Sequence, residues 1–509
     1  MTSSRSIDAL LLLVLVGLGL WLRLGSIDAF GLSPDDGNYL SSARVMQLDR
    51  PNQEGSWFDQ DWEWAFGERR LSYRHSYIHQ LVIRWVYRSG ATGAFTVRIA
   101  SVVLGALTTL LLYLFYLRNF PEQRSVGWIA CALLAGLVIH VWYSRTGWGQ
   151  IGCTFFWLVY MMLGYSLFVR RPEPSKAQCA VIAIGMILAT LLAYGYHEMI
   201  VVHVAGMGVF WVLDQYWQRR DIQEILRSRS MWTFAIACVP VTIVAAVLLL
   251  GDDFAEKHWT GLVQDKYELN YVEYRVRVLK VMFLRNRLDL QISWPILLLA
   301  VPGCVAMFNR DRALFRYLMT LFVTSVVIFF FFFRDPYLIR IYLPTIVLLV
   351  VFAAEGIRAI ADHAAERFGK LASVACITLP IGFTFFQSWQ TIYGPEGAPL
   401  AVTAFYQHDK PNRYPLEPIV EYLRENRGRG EILGIAGESS SYFTLKDEGI
   451  PARMFNGAKW NRKPSQYPDL LVAPQNFMEL QKRTVDLGGV YELIATSRLE
   501  RVGLYAKRP

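Results

Sequence analysis

Long, nearly uncharged apolar runs constrain this chain more than any other feature. Ile7–Leu24, Val126–Tyr143, Trp232–Leu250 and Leu314–Phe333 are clear cases. Each is long enough, or nearly so, to cross a hydrocarbon core of roughly 30 Å. Backbone polar groups in lipid must be satisfied within the segment, so runs of this kind fold as membrane-spanning helices. The composition agrees: 54% of residues are hydrophobic and 18% are charged, less charge than a soluble chain of this length carries. The full set of expected spans is 7–24, 94–117, 126–143, 150–169, 177–194, 198–213, 231–250, 292–308, 314–333, 337–353 and 371–388, about eleven helices. The 16 Trp and 26 Tyr are enough to supply interfacial belts at both faces.

Charge in the connecting loops gives an orientation. With the N-terminus inside, the short inner loops hold Arg118 and Arg124, then Arg170, Arg171 and Lys176, then Arg219, Arg220, Arg227 and Arg229. Arg310 and Arg312 follow, then Arg358, Arg367 and Lys370, whereas the short outer loops carry little beyond Arg145 and Arg334. The positive-inside rule therefore predicts a cytoplasmic N-terminus, and an odd number of spans places the C-terminal segment outside. The net charge of +9 is mostly this bias, so it does not point to nucleic acid. All six cysteines fall inside expected spans, which leaves none for disulfides in the outer segments. The first run reads as a retained helix, because Gly25-Ser26-Ile27-Asp28-Ala29 is a poor cleavage site.

Three segments exceed simple connectors: 25–93, 251–291 and the tail, and all three are expected on the outer face. The chain thus divides into a membrane domain, 1–390, and an extracytoplasmic α/β domain, 391–509. In the first loop, Ser33-Pro34-Asp35-Asp36 has the form of a helix start, with Tyr39 and Leu40 beginning an amphipathic face. A second juxtamembrane helix is expected near Ser76–Tyr87. Between them Trp57, Phe58, Trp62, Trp64 and Phe66 alternate with Asp59, Asp61 and Glu63, a mixture suited to lipid headgroups. In the tail, Pro418–Arg427 and Phe477–Arg483 read as helices, and Glu431–Ala436, Leu470–Val472, Leu493–Ala495 and Val502–Ala506 as strands. The tail has no GxGxxG, P-loop or GxSxG signature.

The acid pair Asp35–Asp36, just past the first span, is the strongest chemical signal. Read locally, it is either a helix cap or a general base or metal-binding acid held at the membrane surface. Other segments share its membrane depth: Arg74-His75-Ser76-Tyr77, Val97-Arg98-Ile99-Ala100-Ser101-Val102-Val103-Leu104-Gly105, Tyr143-Ser144-Arg145, Tyr194-Gly195-Tyr196-His197-Glu198 and Arg340-Ile341-Tyr342-Leu343-Pro344. In their order and membrane positions these resemble the C-type glycosyltransferase superfamily (GT-C). The similarity is greatest to the branch of protein O-mannosyltransferases and bacterial lipid A aminoarabinose transferases. Such proteins typically read R-L-P-S-x-L-x-G, Y-S-R and R-Y-L-L-P at the matching places. They commonly have Asp-Glu where this chain has Asp35-Asp36, and His-Pro-Pro where it has His75-Ser76-Tyr77.

The resemblance implies a donor sugar on a polyprenyl phosphate and an inverting transfer at the outer membrane face. Asp35 then matches the first acid of the pair as base, with Asp36 beside it. Arg74, Arg145 and Arg340 would meet the leaving phosphate. Tyr39, His75, His197, Glu198 and Tyr342 would line the substrate site. A divalent cation is left open, as is a metal at His75 and His79. The acceptor, a glycolipid, polysaccharide or protein, is not set by these motifs. The expected location is the inner membrane of the cell, among its lipids. The rival readings are a transporter or lipid flippase, which would show two related halves with helices broken at mid-membrane, and a non-catalytic assembly subunit whose acids are only caps.

Overall fold

The computed structural model describes residues 2–25, 27, 77–91, 93–170, 173–197, 199–219, 221–250, 271–280, 294–332, 339–393, 416–427, 433–436, 445, 449–455, 469–474, 491–496 and 502–507. The chain is an α-helical, multi-pass membrane protein with a small C-terminal sheet. In order, the helices are α1 (Thr2–Leu24), α2 (Tyr77–Arg88), α3 (Gly93–Asn119), α4 (Arg124–Gly136), α5 (Val138–Ser144), α6 (Gln150–Phe168), α7 (Lys176–Tyr196) and α8 (Ile200–Trp217). Then come α9 (Ile222–Arg227), α10 (Arg229–Leu250), α11 (Tyr271–Leu279), α12 (Trp294–Arg310), α13 (Arg312–Phe332), α14 (Leu343–Phe368), α15 (Lys370–Tyr393) and α16 (Glu417–Asn426). Every span expected from hydropathy coincides with a helix, and the second juxtamembrane helix appears as α2. Among the described residues, 7 helices are individually long and apolar enough to cross a membrane, and α4 with α5 forms a further, bent span. The first juxtamembrane helix, the aromatic-acidic stretch 57–66 and the tail helix at 477–483 lie outside the described residues.

Contacts divide the chain into two compact units: Met1–Arg23, Val102–Ser144 and Gly149–Ala401 in one, and Leu24–Ser101, Arg145–Trp148 and Val402–Pro509 in the other. The first is the helical bundle, and α14 is its centre, packed against α12, α15, α4, α13 and α6. The reason is compositional. From Leu343 to Ile357 every α14 residue is buried, while its last turns carry the half-buried Arg358 and the exposed charges Asp362, Glu366 and Arg367. Pro344 suits the first turn, where no intrahelical N–H bond is lost. Gly369, at φ 87°, ends the helix in a conformation that costs a β-carbon-bearing residue energy. Helices α12 and α14 approach closely at Gly303 and Gly356, since a Cβ on either would collide with the partner backbone, at Phe352 O and Leu299 O respectively.

Polar groups then fix the bundle at two depths. Near the end carrying the arginine-rich loops, Glu355 of α14 is buried and accepts both Arg310 Nη groups of α12, each at 2.5 Å, and the Tyr116 hydroxyl of α3 at 3.2 Å. Further along, α4 stops at Leu137 and α5 leaves at an angle of 59°. The break frees the carbonyls of α4's last turn, which need donors when buried away from water. Arg23, fully buried near the end of α1, supplies one: its Nη1 donates to Ala135 O at 3.0 Å and also to Gly19 O of its own helix at 2.8 Å. Ser388 of α15 donates to Gly136 O at 2.6 Å. Arg23 Nη2 meets His140 Nδ1 at 2.7 Å. A guanidinium only donates, so Nδ1 is the acceptor and this imidazole is neutral with its proton on Nε2.

The second unit contains a mixed five-stranded sheet, ordered β2-β1-β3-β5-β4, from β1 (Leu433–Ala436), β2 (Arg453–Phe455), β3 (Leu470–Pro474), β4 (Tyr491–Thr496) and β5 (Val502–Lys507). β1 pairs in parallel with β2 and β3, while β5 runs antiparallel to both β3 and β4. Four of these strands fall where the apolar runs placed them; β2, three residues long, gives too short a pattern to see. The core of this unit joins Ile419, Val420 and Leu423 of α16, Leu433, Ile435, Val472 and Leu504 of the sheet, and Ile83 of α2 with Val97 of α3. The first long loop's helix and the tail therefore share one hydrophobic core.

Candidate active site

Six of the ten residues named as site candidates, Asp35, Asp36, Tyr39, Arg74, His75 and Glu198, lie outside the described residues. The remaining four have defined surroundings. Arg145 follows directly on α5. It is 4% exposed, and its Nη1 donates to Gly25 O at 2.5 Å. Arg98, equally buried on α3, donates through Nη1 to Ile27 O at 2.5 Å. His79 of α2 donates a ring N–H to Gly147 O at 2.6 Å, and Ser101 Oγ reaches Trp148 O at 3.3 Å.

These contacts all lie within the second unit and share a purpose. Two buried guanidinium groups hold the first carbonyls after α1, at the root of the loop that carries Asp35 and Asp36. Carbonyl oxygens accept charge-assisted bonds from arginine. Segment 145–148 is held in turn by α2 and α3. Arg145 therefore has a positioning contact at the head of the acid-bearing loop. His79 spends one ring nitrogen on Gly147, and no cluster of metal-ligating side chains occurs among the described residues.

The other placed candidates belong to the helical bundle. His197 follows α7 in extended conformation, and its Nδ1 accepts the Met199 N–H at 3.3 Å, which shapes the tight turn into α8. Arg340 and Tyr342 share a short 3-10 turn, Ile339–Tyr342, that leads into α14. Tyr342 is 7% exposed and packs edge-on against Phe329 with centroids 5.4 Å apart. Its hydroxyl has no hydrogen-bond partner among the described residues, while the guanidinium of Arg275 acts on it electrostatically. Arg275, on α11 within the second long loop, is 4% exposed and packs over the Tyr274 ring. Counting spans from α1 puts the α7–α8 turn, the turn before α14 and α11 at one end of the bundle, opposite the arginine-rich loops.

Sequence reasoning passed over Arg23 and Arg275. The signal for Arg23 was present: a lone cation inside an apolar run must find several acceptors. For Arg275 there was less, because Tyr274-Arg275-Val276-Arg277 reads as a solvated loop helix. What the described residues offer is an end of the bundle with one buried cation, Arg275, a half-buried one, Arg340, a phenol and a histidine turn. In the second unit, taken by itself, two buried arginines hold the root of a loop bearing two acids. Cations and a phenol can bind a phosphate ester, and a carboxylate can take a proton from an attacking hydroxyl.

No protein-family profile and no curated protein sequence matches the chain. Solved structures do. The apo ArnT from Cupriavidus metallidurans superposes with a TM-score of 0.57 at 13% identity, covering 99% of this chain and 98% of ArnT. The same enzyme bound to undecaprenyl phosphate gives a TM-score of 0.52 at 12% identity, with 97% of each chain covered. An Archaeoglobus fulgidus oligosaccharyltransferase, tethered to an acceptor peptide containing the NVT sequon, gives 0.51 at 12% identity over 98% of this chain and 74% of the other. The chain thus shares the fold of these solved ArnT and oligosaccharyltransferase structures.

Proposed function

We propose that this protein is a membrane glycosyltransferase that takes a sugar from a polyprenyl-phosphate carrier and passes it to an acceptor at the outer face of the membrane. The observation that carries the reading is a GT-C fold spanning the full chain, in a sequence whose first long loop bears an adjacent acid pair. Similarity to an ArnT structure holding undecaprenyl phosphate supports the donor class. Asp35 accepts the proton of the acceptor hydroxyl as its oxygen attacks the anomeric carbon. The bond from that carbon to the phosphate oxygen breaks, and polyprenyl phosphate leaves with the electron pair. A single displacement of this kind inverts the anomeric centre. Arg74 and Arg340 stabilise the departing phosphate, while Arg145 both contributes charge and holds the loop root through Gly25. Tyr39, His75, His197, Glu198 and Tyr342 complete the substrate site.

The test is direct. Purified protein is incubated with a polyprenyl-phosphate sugar and candidate glycolipid, polysaccharide or peptide acceptors. Transfer that requires both substrates supports the enzyme; solute flux across a vesicle without bond cleavage would instead make it a transporter. Orientation belongs to the same proposal, with a cytoplasmic N-terminus and the C-terminal unit outside. A reporter joined after Pro509 should be active only when exported. Activity confined to the cytoplasm would place the tail and the acid loop on the wrong face and end the shared-site reading.

A further inference from the structure

The bundle's arginine-rich end holds a cavity of about 510 Å³ that the transfer reaction does not use. Its wall is formed by Arg118 at the end of α3, Leu163, Ser166 and Arg170 at the end of α6, Glu173 and Pro174 in the connection, and Ala177, Gln178, Val181 and Ile182 of α7. Several arginines at this end are engaged within the protein. Arg310 pairs with Glu355, Arg358 with Asp362, Arg312 lies over Phe308 and Arg316 over Trp217. The guanidinium groups of Arg118 and Arg170 are exposed, have no hydrogen bond or ion pair among the described residues, and both line this cavity.

We infer that this cavity binds the phosphate headgroup of an anionic phospholipid from the bilayer. Three further observations favour an anion there. α7 begins in the cavity wall, which places its positive dipole end at the space. Ser175 and Gln178 form a reciprocal capping box, in which Gln178 Oε1 accepts the Ser175 N–H at 2.8 Å. That bond fixes the amide and leaves its NH₂ as a donor. Glu173 opposes one of the two guanidinium charges, so the balance remains positive.

The occupant is a lipid rather than a free ion because of what adjoins the cavity. Val181 lines it, and Val181, Ile184, Leu188 and Leu191 continue as an exposed apolar stripe along one face of α7. Their spacing follows the helical repeat, and the stripe runs away from the charged end toward the middle of the span. A phosphate against Arg118 and Arg170 therefore places acyl chains along a surface already built for them. Basic pockets between helix ends are the expected form of such headgroup sites.

The experiment compares retention of phosphatidylglycerol and phosphatidylcholine by the full-length protein in detergent, read by native mass spectrometry. The wild-type chain should keep phosphatidylglycerol in preference. Arg118→Gln with Arg170→Gln should weaken that retention by about 25-fold, since each cation near an anionic surface is worth roughly fivefold. Arg312→Gln with Arg316→Gln removes the same charge at the same end and should leave retention unchanged. Either single variant at Arg118 or Arg170, expected to show about a fivefold loss, keeps the test open should the double variant unfold. Equal retention of both lipids, equal loss in both double variants, or displacement of the lipid by inorganic phosphate alone would each overturn the assignment.

Discussion

Asp35→Asn is expected to leave a folded, membrane-inserted protein that still binds its donor but transfers sugar about 10²–10⁴-fold more slowly, the usual worth of a positioned base. The substitution is chosen because Asn keeps the size of Asp and caps helices about as well. It removes only the negative charge and the basicity. If Asp35 were a cap and nothing more, stability and turnover would both be unchanged. Asp36→Asn should have the smaller effect if Asp36 orients its neighbour or holds a cation. The measurement is single-turnover transfer with a saturating donor, alongside donor binding on the same preparation. Near-normal transfer by Asp35→Asn would end its assignment as base and shift attention to Asp36 and Glu198.

The largest expected loss of stability comes from Glu355. Its carboxylate is 1% exposed and is the common acceptor for Arg310 of α12 and Tyr116 of α3. Glu355→Ala removes that acceptor and leaves a guanidinium and a phenol facing apolar walls. Breaking a buried pair by deleting one partner costs about 3–5 kcal/mol. Arg310 is 33% exposed and can turn part of its charge toward water, so the lower end of that range applies. Glu355→Gln keeps the shape and one acceptor oxygen, and should lose visibly less. The readout is the thermal midpoint in detergent for the two variants and the wild type. An alanine variant as stable as the wild type would mean that helix packing at Gly303 and Gly356 holds α12 and α14 together without the polar tie.

The spans were legible because a membrane imposes one dominant requirement, a long uncharged run, that neighbours cannot override. The tenth span shows where that reading loses detail. Hydropathy ends it near residue 353, yet α14 continues to Phe368. Its later turns are amphipathic, and an Arg358–Asp362 pair one turn apart supports them. The break at Leu137 was invisible for a different reason. Gly136-Leu137-Val138 contains no proline, and the donors that make the break tolerable, Arg23 and Ser388, are remote in sequence. Long-range partners also hid the composition of the second unit. Nothing local to Ile83 or Val97 says that they join a core with strands more than 300 residues later. As for the site, Arg145 was marked by an outer position that runs against the loop-charge bias, but its bond to Gly25 needed coordinates. Tyr342 was named from its motif, whereas its neighbour Arg275 came from a loop with no motif at all.

The bend between α4 and α5 also sets an order in time. Its freed carbonyls are satisfied from α1 and from α15, through Arg23 and Ser388 respectively. A chain emerging from synthesis can insert its third span early, but the kink stays short of one donor until α15 has arrived and docked. Phe385 and Thr384 of α15 then press against Gly136, where even a methyl group would not fit. Sealing of the membrane region is thereby coupled to the arrival of α15, and a product truncated before α15 would carry an unsealed polar backbone in lipid, a defect that quality-control proteases can recognise.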